Sequence, residues 1–473
     1  MTVPVDIPPT MQINAWNPEG DNRGALAPIG RFAARRQVMS EQLRRFKRVL
    51  APPVPVPLED WRHPEVGWGL VLPDDDSIPV QARARGDDAP EPLRRLLAAR
   101  PGSPVLRWSP HLQQLALRRY YDDGTAQDLL IATPTYGVAR GCIPHYLLIY
   151  AAPSAIPWSV QYALNLALCV GRLDLAVEEG LGNYVDALLR DWAGAKSDVH
   201  APVIWSTDHG SDDITWLMAR AIANPLMEKY RADPDLAQVA HLKAAQASGV
   251  NLLTELTARR PGLVVTTSHG MTGPLSDAAA LTAQLGLLVD ADHQPVPLAQ
   301  MKEWAPEGAL WYAHACCAAG SDEASRYVDL LDVSGGAGRI VRDVAAHAGA
   351  RIAPLPRMLL GQPAPLRAFV GHVEPTFDWT LRQPESGQVT TRALVDALYT
   401  QLYNQAVRTP VGWALRELYR QSGAFYGAWQ EARGAVDRDE AGARERSLYR
   451  QLVAMDLQTL VVLGDPTVAL PPL

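Results

Sequence analysis

Leu263-Val264-Val265-Thr266-Thr267-Ser268-His269-Gly270 and Gly308-Ala309-Leu310-Trp311-Tyr312-Ala313-His314-Ala315-Cys316-Cys317 are near neighbours in the chain and read alike. Each begins as a short uncharged run of apolar and β-branched residues and breaks at small or polar ones, the pattern of a buried strand that opens into a loop. Both reactive ends then lie on one edge of a sheet, where open α/β folds bind ligands, so residues distant in sequence can meet there. A thiol needs a nearby base to react as a thiolate at neutral pH. His269 is the base that this pairing offers to Cys316.

Outward from these runs, strands and helices alternate. Strands are expected over 66–72, 105–108, 128–132, 146–150, 203–206, 263–267, 309–313, 366–370 and 460–463. Helices are expected over 183–192, 213–230 with a kink at Pro225, 242–258 and 277–285, and in the C-terminal third over 391–407, 412–432 and 440–455. Such alternation implies α/β architecture, a mostly parallel sheet with helices on both faces. Residues 1 to about 100 stand apart: Pro8-Pro9, Pro52-Pro53 and Pro55-Val56-Pro57 interrupt regular structure, and FAARRQVMSEQLRRFKRVL (32–50) has helical spacing with a basic face.

The chain has 473 residues, 47% hydrophobic and 20% charged, which suits a folded protein of more than one typical domain. A net charge of −7 gives no clustered basic face for nucleic acid or anionic membrane, so neither is an expected partner. The four cysteines, Cys142, Cys169, Cys316 and Cys317, form no disulfide framework, which points to a reducing compartment. The N-terminus lacks a basic start followed by an apolar core, and no apolar run approaches the ~20 residues of a spanning helix. A cytoplasmic protein is the expectation.

TTSHG (266–270) and HACCAAG (314–320) resemble the His-Gly and Ala-Cys strand ends of the caspase-like cysteine peptidases: caspases, gingipains, legumain, separase and bacterial CHAT-domain proteins. YLLIYAAPSAIP (146–157) with VQYALNLALCVGRLDL (160–175) looks like the sheet and connection before the catalytic half of gingipain-type domains. VVLGDPTVALP (461–471) looks like the closing strand of gingipain and CHAT domains. The resemblance spans roughly residues 140 to 473. It implies an N-terminal module over 1–100, the first half of a gingipain-like region over 101–200 and a caspase-like catalytic domain over 201–473. It further implies a cysteine endopeptidase with a His269/Cys316 dyad, performing limited proteolysis of a protein or peptide substrate, in keeping with bacterial stress or defence. No cofactor or metal is needed for that chemistry, and a regulatory partner protein is compatible with it. The amides of Gly270 and of the nucleophilic cysteine would hold the oxyanion.

Several assignments stay open at the level of sequence. Cys316 matches the Ala-Cys pattern, whereas Cys317 lies three residues before Gly320, a spacing many members show, so Cys317 is the alternative nucleophile. His209-Gly210 is a second His-Gly after a strand, read as lining the cleft; the resemblance implies that its loop contributes to the primary specificity pocket, where Asp208, Asp212 and Asp213 would favour a substrate Arg or Lys. Aspartates there would equally serve to cap a helix. His314 and His372 at strand ends are further substrate-binding candidates. A metal site built from His314, Cys316, Cys317 and Asp322 has poor ligand spacing. Ser334-Gly335-Gly336-Ala337-Gly338 lacks the Lys-Ser/Thr of a phosphate-binding loop and reads as a flexible loop near the site. An inactive caspase-like scaffold and a cysteine-dependent amidase are the competing functions.

Overall fold

The computed structural model describes residues 10–18, 23–25 and 56–473, the last without 237, 333, 385 and 405. The basic stretch 32–50 and the prolines at 8, 9, 52, 53 and 55 lie outside the described residues.

Twelve strands form one sheet: β1 (Trp68–Pro73), β2 (Val105–Trp108), β3 (Ala116–Tyr120), β4 (Ala126–Leu130), β5 (Tyr146–Tyr150), β6 (Cys169–Leu173), β7 (Val203–Ser206), β8 (Ala240–Lys243), β9 (Leu263–Thr267), β10 (Leu310–His314), β11 (Ala368–His372) and β12 (Leu460–Gly464). Their spatial order is β8-β7-β9-β10-β11-β12-β6-β5-β1-β2-β3-β4. Pairing is antiparallel between β11 and β12, β2 and β3, and β3 and β4, and parallel everywhere else in the sheet. The sheet is therefore two parallel blocks of opposite direction, β8-β7-β9-β10-β11 and β12-β6-β5-β1-β2, joined along β11 and β12, with antiparallel β3 and β4 added at the far edge of the second. The protein is an α/β protein with helices flanking a large, mostly parallel sheet.

The sequence explains this architecture through burial. Every residue of β9, β10, β11 and β12 is buried, as expected of strands covered on both faces. In the other half, Leu70, Tyr146 and Leu148 belong to one apolar cluster and Val71, Leu147 and Ile149 to another, because successive side chains point to opposite faces. Trp68–Pro73, expected within an N-terminal module, is an inner strand of this sheet, between β5 and β2. Among the described residues no helix is long and apolar enough to cross a membrane.

Three local expectations need correction. The stretch 242–258 is not one helix: it begins in edge strand β8, and Ser248 then caps a shorter helix, Gly249–Arg259, by accepting the Asn251 N–H. The kink expected at Pro225 takes the form of a wide π-helical turn, Ala219–Ala223, between helices Ile214–Met218 and Asn224–Ala232. Such a turn shifts the hydrogen-bond register just ahead of a residue that lacks an N–H. The glycines after Ser334 do not form a loop, but open the 13-residue helix Gly336–Ala348.

Candidate active site

Parallel register brings four strand ends to one edge. Ser206 of β7 pairs with Thr267 of β9, Thr267 with His314 of β10, and Ala313 of β10 with Gly371 of β11. His269 and Cys316 each lie two residues beyond the shared rung Thr267–His314. A Cβ on Gly270 would stand 1.9 Å from the Cys316 carbonyl oxygen, so only glycine lets the His269-Gly270 backbone lie against Cys316.

His269 is fully buried, and its Nε2 is 2.9 Å from Asp213 Oδ2. The other carboxylate oxygen accepts the Thr215 N–H at 2.8 Å and the Thr215 hydroxyl, capping helix Ile214–Met218. Burial alone would favour the neutral acid. The His269 contact and charge, with the Thr215 donors, outweigh it and hold the Asp213 carboxyl well below the usual carboxylate range. An ionised carboxylate only accepts, so this contact places a proton on Nε2, and Nδ1 is the ring nitrogen on which a further proton is gained or lost. Nδ1 is buried and has no hydrogen-bond partner.

Cys316 Sγ is also buried and accepts the Thr376 N–H at 3.2 Å. Burial, reinforced by Cys317, pushes this thiol well above its ordinary value, against the opposing Thr376 amide. Cys317 has φ of 55°, its N–H points to the Glu374 carbonyl at 3.4 Å, and burial followed by Glu374 raises its thiol too.

The space in front of these groups is filled by the chain's own N-terminal segment. The Gly270 and Cys316 amides both donate to the Asn14 carbonyl oxygen, each at 3.3 Å. On one side, Asn14 N–H donates to the Thr376 carbonyl at 2.9 Å, and Ile13 bridges antiparallel to Phe377. On the other, Ala15–Trp16 pairs in parallel with Gly270–Met271, and the Thr272 N–H reaches the Trp16 carbonyl at 3.1 Å. The Asn14 side chain is buried, its Nδ2 donating to the His314 carbonyl at 3.2 Å. Trp16 packs 5.6 Å from the His269 ring and 4.5 Å from that of His293. This occupancy was not foreseen. The signal was the alternation of Met11, Ile13 and Ala15, all buried, in a region read as an N-terminal module of unknown role.

The other candidates divide. The ring of His209 lies 5.8 Å from that of His269 and stacks at 3.9 Å on His293, which sequence reasoning missed. Burial, then His293 and His269, pushes His209 down to about 4, so it is a neutral ring at physiological pH. Asp208 caps the Gly210 N–H and lies 3.5 Å from Arg220. Asp212 is exposed, and its main-chain carbonyl accepts from Gln12 Nε2 at 2.8 Å. Asp213, expected as a specificity carboxylate, has both oxygens engaged inside the protein instead. His314 and His372 are turned inward from the cleft. Burial takes His314 to about 4, with Nδ1 on the Tyr312 hydroxyl, and drives His372 well below its ordinary value, with Nδ1 on Thr459. Both line a mainly apolar cavity of about 50 Å³ together with Trp379, Leu394 and Phe425. Among the described residues no three His, Cys, Asp or Glu side chains are grouped to hold a metal ion.

No protein-family model matches the chain, and no curated protein does. One solved structure that is similar is the complex of Porphyromonas gingivalis RgpB pro- and mature domains, 12% identical over 86% of this chain and 80% of that one, with a TM-score of 0.41. At that level of similarity neither chemistry nor residue roles transfer, and the functional reading rests on the geometry of the site.

Proposed function

We propose that this chain is a caspase-like cysteine endopeptidase in which Cys316 is the nucleophile, His269 the base, Asp213 the group that orients it, and the Gly270 and Cys316 amides the oxyanion hole. The observation that carries this reading is the convergence of those two N–H groups on one main-chain carbonyl oxygen, 3.3 Å from each. Donors fixed at such a point act on the charge that develops as a carbonyl becomes tetrahedral.

In this scheme the Cys316 thiol gives its proton to His269 Nδ1, and the thiolate attacks the carbonyl carbon. The C–N bond breaks as His269 returns that proton to the leaving amine. Water then adds to the thioester, His269 accepts its proton, and the carboxylic acid leaves as the thiol is restored. Backbone pairing on both sides of the reacting carbonyl, with Thr376–Phe377 and with Gly270–Thr272, suits an extended peptide better than the small substrate of an amidase. In the acidic loop from which an Arg or Lys preference was expected, Asp213 is committed to His269 and Asp208 faces Arg220, which leaves the exposed Asp212 carboxylate to support it.

The test is cleavage of a fluorogenic peptide library, with labelling by a thiol-reactive peptide probe, using wild type and the Cys316→Ala, Cys317→Ala and His269→Ala variants. Wild type and Cys317→Ala should cleave and be labelled. Cys316→Ala should do neither, and His269→Ala should lose on the order of 10²–10⁴ in rate. Undiminished cleavage by Cys316→Ala would refute the assignment.

A further inference from the structure

Asn14 occupies the place of a substrate residue in every main-chain contact it makes. Its carbonyl oxygen takes the Gly270 and Cys316 amides, its N–H pairs with the loop after β11, and the residue following it enters a strand pair beside His269. The bond at the reacting position is Asn14–Ala15. A hairpin sets this register: Thr10–Gln12 pairs antiparallel with Arg23–Ala25, Thr10 opposite Ala25 and Gln12 opposite Arg23. Gln12 is tied down again by its N–H to Asp378 and its side chain to the Asp212 carbonyl.

Side chains agree with the main chain. Met11, Ile13 and Ala15 are buried in the same apolar cluster as Cys316, Phe377 and Trp379, so this segment is seated rather than draped. Asn14 Nδ2 has an acceptor in the His314 carbonyl, whereas Oδ1 is buried with no donor. A pocket that supplies an acceptor and no donor tolerates a neutral amide and penalises a carboxylate, which would be desolvated without compensation. A long cation finds no free carboxylate at Asp213, which is spent on His269 and Thr215.

Resting on the peptidase reading, we propose that residues 11–17 are the enzyme's own first substrate: Cys316 cleaves the Asn14–Ala15 bond in its own chain, and the site selects asparagine at the residue whose carbonyl is attacked. In this step the thiolate bonds to the Asn14 carbonyl carbon, the Asn14–Ala15 C–N bond breaks, and the Ala15 nitrogen takes the proton held by His269. Water hydrolyses the thioester to leave Asn14 as a free carboxylate. After cleavage the residues up to Asn14 are no longer joined through the chain to Ala15, and non-covalent contacts alone hold them in the cleft.

The experiment follows purified full-length protein by intact mass and N-terminal sequencing over time, alongside labelling of Cys316 by matched peptidyl acyloxymethyl ketone probes ending in Asn, Asp or Arg. Wild type should yield a chain beginning at Ala15, while Cys316→Ala and the volume-conserving Cys316→Ser stay whole. Asn14→Asp and Asn14→Arg should be cut at least tenfold more slowly, and the Asn probe should label at least tenfold faster than the Asp and Arg probes. A wild-type chain that stays whole while Cys316 is labelled overturns self-cleavage and spares the peptidase reading. A new N-terminus other than Ala15, or equal cutting of Asn14→Arg, overturns the register or the selectivity. Neither cutting nor labelling by any probe overturns both readings.

Discussion

His269 has two ring nitrogens with different surroundings, and one carboxylate decides which of them is basic. Asparagine at position 213 could still accept the Thr215 donors and cap the helix, since Asn and Asp serve about equally there. Its amide would also donate to Nε2, moving the ring proton to Nδ1. We expect Asp213→Asn to lower kcat by about 10⁴-fold with little change in KM or stability, as a wrong tautomer does, measured by steady-state kinetics and thermal melting. A second residue-scale expectation concerns pH. Burial pushes the Asp456 carboxyl up to about 7, although Thr380 and the Phe377 N–H bind its Oδ2. A carboxyl whose folded value is raised contributes stability that is full below about 4, its unfolded value, and is lost as pH climbs through about 7. Asp456→Asn should therefore flatten the fall in stability between pH 4 and 7, read as the difference from wild type in urea midpoints. An unchanged slope would show that Asp456 is not the group responsible.

At the scale of elements, the loop after β11 and the turn after β12 do most of the assembling. Thr376 places its N–H on Cys316 Sγ and its carbonyl on the Asn14 N–H, and Phe377 is fixed by Asp456. In the turn, Asp465 is fully buried between Arg100 at 3.0 Å and the Trp68 indole N–H at 3.0 Å. Removing one partner strands a buried charge, so Asp465→Ala should cost roughly 3–5 kcal/mol in denaturant unfolding. Elements were legible in proportion to how much of their stabilisation is local. β5, β7 and β9 match the expected limits residue for residue because each is a run of apolar and β-branched residues that is buried but for Tyr150 at the end of β5. β3 carries adjacent arginines, and β6 carries Gly171 and Arg172, so neither reads as strand. Arg172 is buried because Gln161 and the Ala151 carbonyl satisfy it, and Gly171 is needed because a Cβ would meet the Gly464 carbonyl at 2.0 Å. The same limit applies at the site. His269, Gly270 and Cys316 announce themselves as strand ends, whereas the Asp213 carboxylate, His293 and the seated Asn14 depend on partners far away in sequence.

At the scale of the molecule, the two halves of the sheet face opposite directions and are sewn together by one antiparallel seam, β11 against β12. The strand that opens the β12-β6-β5 half at the seam is thus the last one in the sheet, and it follows a helix pair, Arg416–Asp437 and Ala443–Thr459, whose members pack on each other. Until β12 arrives, β6 and β11 each present an unpaired edge, the kind of surface that invites pairing with other chains. A sheet with such long-range connections forms slowly. A polypeptide still emerging from the ribosome can therefore make the strands that carry His269 and Cys316, but cannot lock the loop that places Thr376 on the thiol, because its anchor, Asp456, and the seam at 460–464 have yet to be made. The order of synthesis thus makes residues 456–464 the last pieces needed before Thr376 can be fixed against Cys316.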